Sequence, residues 1–112
     1  MKPLNEQISL SDAITIAESA AYRNLESFFT EEGTKVLADD FVEGEHCWIF
    51  FRNKEIFVPP EGQLRGGWSY AVSKTGELRE IADFSSDEQK LKEYLDIMSD
   101  YFFQHKNPKK SR

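Results

Sequence analysis

Apolar residues recur at helical spacing early in the chain. Ala13, Ile14, Ala17, Ala20, Ala21, Leu25, Phe28 and Phe29 fall on one side, and Asp12, Glu18, Arg23 and Glu26 on the other. The pattern predicts an amphipathic helix. Ser9, with Asp12 at the capping-box position, or else Ser11, can cap its open amides. The helix should run to about Thr30 and stop at Gly33, a good left-handed cap. Its alanines would let the backbone lie close to a sheet. A second stripe, Leu91, Tyr94, Leu95, Met98, Tyr101 and Phe102, predicts another helix from about Asp87 to Gln104. Ser85 or Ser86 would cap it, with acids in the first turn, and Asn107-Pro108 would end it.

Between the helices the period changes. Cys47-Trp48-Ile49-Phe50-Phe51 is an unbroken apolar run closed by Arg52-Asn53-Lys54, the signature of a strand covered on both faces. Trp68 to Val72 reads as a second strand. Lys74-Thr75-Gly76-Glu77 then turns the chain, with Gly76 supplying the left-handed residue, and Leu78, Ile81 and Phe84 carry the return. Lys35 to Glu43 is a weaker strand in which Asp39-Asp40 suits a bulge or a polar edge. Gly44-Glu45 connects it to the aromatic strand as an antiparallel hairpin. Glu55-Ile56-Phe57-Val58 has strand character, but Pro59-Pro60 cuts it off because proline donates nothing to a ladder. The irregular stretch from Asn53 to Gly67 is long for so short a chain, and such loops are often functional.

The chain has 112 residues, room for one core. A domain spanning residues 1–105 is expected, followed by a basic, disordered tail at 106–112. Met1 to Leu10 holds no signal-type apolar run, no stretch approaches membrane-spanning length, and one cysteine makes no internal disulfide. A soluble cytoplasmic protein is the expectation. The net charge of −6 is uneven: residues 1–45 hold ten Asp/Glu against three Lys/Arg, and 46–112 hold ten against eleven. The acidic half argues against a nucleic-acid partner. It favours a basic protein partner, unless the charge serves only solubility.

Candidate chemistry is sparse. His46 and Cys47 are adjacent, so on a strand they point to opposite faces and cannot act as a pair. One cysteine and two histidines, without metal-ligand spacing, make no zinc site, so no metal and no cofactor are expected. Cys47 reads as a small buried apolar residue. The pairs Glu31-Glu32 and Asp39-Asp40 lack apolar neighbours that would tune them for acid–base work. Gly66-Gly67 lacks a phosphate-loop setting, and no serine sits in a nucleophile elbow. Trp48 and Trp68 suit the core, and a ligand-stacking role stays open. Phe57 and Val58, stiffened by Pro59-Pro60, are either binding anchors or a lid folded over the sheet edge.

An Ala-rich N-terminal helix (Ala13, Ala17), a Trp48-Ile49-Phe50 strand and a Gly-rich loop into Ala71-Val72-Ser73-Lys74-Thr75-Gly76-Glu77-Leu78 follow in that order. Over about residues 10–82 the chain resembles the immunity protein 35 (YrhB-like) domain family of bacterial toxin–immunity loci. The resemblance implies a cytoplasmic, non-catalytic protein that binds and neutralises a toxin, with no catalytic residues to carry over.

The expected fold is α+β: a roughly four-stranded, mainly antiparallel sheet, with the first helix on one face and the second on the other face or along an edge. The expected binding residues are Asp39, Asp40, Glu43 and Glu45 for steering a basic toxin domain, and Phe57 and Val58 for anchoring it. A homodimer stays open. So do a chaperone-like or peptide-binding module using an exposed sheet edge, and a small-molecule or enzymatic site near Trp68 and Tyr70.

Overall fold

Ser9 opens the first helix. In the computed structural model, which describes residues 7–29, 33–62 and 67–106, its hydroxyl accepts from the Asp12 amide at 3.0 Å, the bond the capping box requires. Helix α1 runs Leu10–Leu25 and tightens into a 3₁₀ turn at Glu26–Phe28. It therefore ends sooner than the apolar period suggests. Thr30, the expected last residue, lies outside the described residues. Gly33 does adopt φ +76°, beyond the helix end.

The four strands are β1 (Leu37–Glu43), β2 (Cys47–Arg52), β3 (Trp68–Ser73) and β4 (Leu78–Ala82). They pair antiparallel in the order β1-β2-β3-β4, a plain meander. The register places Phe50 opposite Tyr70 and Ile49 opposite Ala71. Each residue of the aromatic run on β2 thus alternates between two covered faces, and Cys47 through Phe51 are all buried. Between Leu37 and Phe41, the stretch that holds exposed Asp39-Asp40, the β1–β2 register shifts, and β1 is an edge of the sheet, so both expected features, a bulge and a polar edge, are present. At the β3–β4 turn Gly76 adopts φ +98°. The Ser73 hydroxyl accepts from the Thr75 and Glu77 amides at 3.2 and 2.9 Å, so the turn is closed from inside.

Helix α2 runs Glu88–Lys106. Its cap is Asp87, whose carboxylate accepts from the Lys90 amide at 3.1 Å. Neither Ser85 nor Ser86 takes that role, because both lie in the turn before it, where the Ser85 amide donates to Asp83 at 2.9 Å. Lys106, the first residue assigned to the tail, belongs to the helix. Residues 107–112, with the rest of the tail and Asn107-Pro108, lie outside the described residues.

The two helices cover opposite faces of the sheet, forming one α+β domain. Beneath α1 the buried cluster joins Ala13, Ala17, Ala20, Ala21 and Leu25 to Trp48, Phe50, Tyr70 and Val72. Beneath α2 a second cluster joins Met98 and Phe102 to Cys47, Ile49, Phe51, Ala71 and Ile81. Glu55 to Val58 is not a strand. Arg52 and Asn53 hold it as a turn: the Arg52 guanidinium donates to the Ile56 carbonyl at 3.1 Å, and the Asn53 carboxamide accepts from the Glu55 amide at 3.0 Å.

Candidate functional site

β1 is an edge strand, and its four acidic candidates follow from how the chain leaves and rejoins the β1–β2 ladder. Asp39 and Asp40 occupy the bulge, where the chain departs from the pleat and both side chains reach solvent. Asp39 pairs with Lys35. Asp40 makes no ion pair among the described residues. It borders a small hollow of about 190 Å³ with Ala38, Phe51, Arg52, Lys54 and Ser85. Glu43 accepts from the Lys74 ammonium at 2.7 Å. That ammonium also stands 4.7 Å from the centroid of the Trp48 ring, a cation–π contact. Glu45 lies in the following turn, 3.9 Å from the His46 ring nitrogen. The acids are therefore strung along one edge. Asp39 and Asp40 sit near its start, Glu43 about 10–13 Å further on by strand rise, and Glu45 in the turn beyond.

Phe57 and Val58 part company. Phe57 is 75% exposed, the most open of the large apolar side chains described. Val58 is buried at 7% and belongs to the cluster under α1. Val58 is a lid residue and not an anchor. Phe57 borders a hollow of about 470 Å³ with Phe28, Phe29, Asn53, Glu55 and Pro59. This corner is tied to the start of β1. The Asn53 amide donates to the Val36 carbonyl and its side chain to the Lys35 carbonyl, each at 2.8 Å. Phe57 thus stands at the corner tied to the start of β1, the end of the strand opposite Glu43.

Lys54 pins the same corner to the end of β4. Its ammonium reaches the Asp83 carboxylate at 2.8 Å and the Ser85 hydroxyl at 2.5 Å. Burial works against the charged form of Asp83, but bonds from Lys54 and Ser85 outweigh it and hold the carboxyl below its usual range.

The remaining candidates are buried to different degrees. Cys47 is fully enclosed; burial pushes its thiol up to about 11, against opposing effects of Lys74 and Ser99. Trp48 is buried and Trp68 half-buried. Tyr70 is wholly enclosed, its hydroxyl accepting from Asn24 of α1 at 3.1 Å. Tyr70 therefore cannot wall a ligand site, which corrects that part of the small-molecule expectation. Among the described residues no group of three His, Cys, Asp or Glu side chains gathers as metal ligands would, and no helix is long and apolar enough to cross a membrane. The pair Glu31-Glu32 and the side chain of His105 lie outside what is described.

Phe28 and Phe29 continue the apolar stripe of α1 past Leu25, pack against the cluster beneath that helix and also form the rim of the Phe57 hollow. The clue was Gly62. A Cβ there would lie 2.8 Å from the Phe28 ring, so a glycine is what lets the loop close on it.

Comparison with known protein families, characterised proteins and solved structures returns no match.

Proposed function

We propose that this protein is a non-catalytic, immunity-type inhibitor that acts in the cytoplasm by binding and neutralising a basic toxin domain. The reading rests first on the resemblance over residues 10–82. The observation that carries it is the open edge of the sheet at β1. There Asp39 and Asp40 stand in solvent at a bulge, and Phe57 stands exposed at the foot of the same edge. Solvent carboxylates steer a cationic partner and quicken encounter. An exposed aromatic on a pinned turn loses little entropy when it is buried. Glu43 and Glu45 extend the negative edge without sharing the Phe57 contact.

The test is co-purification with the product of the adjacent gene, followed by titration at low salt. Reversal of Asp39 and Asp40 together should weaken binding about tenfold or more, chiefly through slower association. Phe57→Ala should act chiefly through faster dissociation. A neighbouring gene that encodes no toxin domain, or a complex indifferent to both changes, sinks the reading.

The sheet order favours one rival. β4 is the other edge, with no strand beside it among the described residues, so an extended peptide could add there. That module would bind many unfolded clients and ignore reversal of the acids on β1.

A further inference from the structure

A further hollow lies beside α2, at the Glu45 end of the β1 edge and away from Phe57. It measures about 710 Å³ and is lined by Glu45, His46, Asp96, Ile97, Asp100 and Phe103, with Ser99 at its base. Helical spacing explains the row: residues 96, 100 and 103 stack on one face of α2, with 97 alongside. The turn between β1 and β2 forms the other wall, and two features fix it against the helix. Gly44 approaches so closely that a Cβ would lie 3.1 Å from Leu95. The His46 amide donates to the Ser99 hydroxyl at 2.7 Å. The groove is thus built before anything binds.

Its lining is apolar in the middle and acidic around. Ile97 is 55% exposed and Phe103 44%, large apolar surfaces left in solvent, and the His46 ring stacks on Phe103 at 4.8 Å. Asp96 and Asp100 make no ion pair among the described residues, and Glu45 has only the 3.9 Å approach to His46. We infer that this groove is the docking site for a lysine- or arginine-bearing segment of a protein partner, an amphipathic helix whose apolar residues meet Ile97 and Phe103 while its cations meet Glu45, Asp96 and Asp100. Charge complementarity selects that occupant. A second copy of this chain, docked across a two-fold axis, would bring the same carboxylates against one another. The inference deepens the toxin-binding reading by extending its contact surface from Glu45 onto α2, and it can be tested apart from Asp39, Asp40 and Phe57.

The probe is a synthetic amphipathic helix of leucine and lysine, titrated into the full-length chain and followed by amide NMR shifts. Controls are the same helix with glutamate for lysine and with serine for leucine. Shifts should centre on residues 45–46 and 96–103, and both controls should bind at least about tenfold more weakly. Asp96→Lys with Asp100→Lys should weaken the lysine helix by about tenfold or more, whereas Asp39→Lys with Asp40→Lys, an equal change in net charge, should leave it within about twofold. Equal loss from both double variants, or shifts centred on β1, overturns the groove as the site. A probe that binds only after Lys109, Lys110 and Arg112 are changed to glutamine also overturns it, because the chain's own tail is then the occupant. Probe binding at the groove without capture of the adjacent gene product leaves the groove standing and removes the toxin. The converse result removes the groove alone.

Discussion

The two faces of the sheet solve the same packing problem in opposite ways. Beneath α1 the helix is small and the sheet is large: Ala13, Ala17, Ala20 and Ala21 are fully buried against Trp48, Phe50 and Tyr70. Beneath α2 the strands offer Cys47, Ile49, Phe51, Ala71 and Ile81, and here the helix brings large groups of its own, Met98 and Phe102, flanked by Leu91, Tyr94 and Leu95. An alanine face lets a helix lie low on a sheet, and the contact leaves little slack. A helix held off by long side chains has room at its flanks. The open groove at Ile97 and Phe103 lies on that second side, whereas the hollow on the Tyr70 side lies past the end of α1, at Phe28 and Phe57. The room along the flank of α2 therefore follows from the helix supplying the volume on that face.

The largest expected effect removes the volume that α2 supplies. Phe102 is 2% exposed, and Phe102→Ala should cost about 3–5 kcal/mol. Urea unfolding gives the number. A loss under about 1 kcal/mol would mean that α2 is not anchored by this side chain, and the contrast between the faces would fail.

Next is the thiol on the same side. Cys47 ordinarily titrates near 9.0, and burial raises it to about 11 in the fold. Between those values the unfolded chain has lost the proton while the folded chain keeps it. Stability therefore falls as pH rises from 9 to 11, by up to about 2–3 kcal/mol. Tyr70, raised first by burial and further by Glu80, against Asn24 and nearby arginines, adds loss of the same sign at higher pH. The check is the difference between wild type and Cys47→Ala, which keeps Tyr70 in both. Parallel stability curves through that window would show that the thiol is not held neutral by its surroundings.

The other face should object to added volume. Ala17 is fully buried between α1 and the sheet. Ala17→Leu should destabilise by about 1–3 kcal/mol through overpacking, although leucine is a good helix former. The same change at exposed Ser19 should fall within about 0.5 kcal/mol of wild type. Equal tolerance at both positions would show that α1 does not lie close on the sheet.

Much of this arrangement could be read in the chain. The Ser9 cap, the bulge at Asp39-Asp40, the buried run from Cys47 to Phe51 and the positive φ of Gly76 each depend on a few neighbouring residues, and local chemistry decides them. Asp87 was harder to see. Three hydroxyl or carboxylate caps stand within three residues, and the turn at Phe84 decides which is left free: its carbonyl accepts the Asp87 amide at 2.9 Å. Phe57 and Val58 could not be ranked, because a turn without a ladder has no period to show which side chain faces inward. The groove beside α2 was invisible for another reason. Its walls are half a chain apart in sequence, and only the approach of Gly44 to Leu95 brings them together.

The smallest expected effect is the most informative about the open side. Ile97 lies on the outer flank of α2, 55% exposed, one residue before buried Met98. If its apolar surface serves the fold, Ile97→Ser should cost a measurable fraction of what Phe102→Ala costs. If it contributes only to the groove, Ile97→Ser should shift stability by no more than about 0.5 kcal/mol, a melting change near the limit of detection, while weakening the leucine–lysine helix. Natural surfaces tolerate single exposed apolar residues. The distinguishing result is therefore the pairing of an unchanged melt with lost binding. A lowered melt with unchanged binding would return Ile97 to the core and remove the claim that the flank of α2 is free to bind.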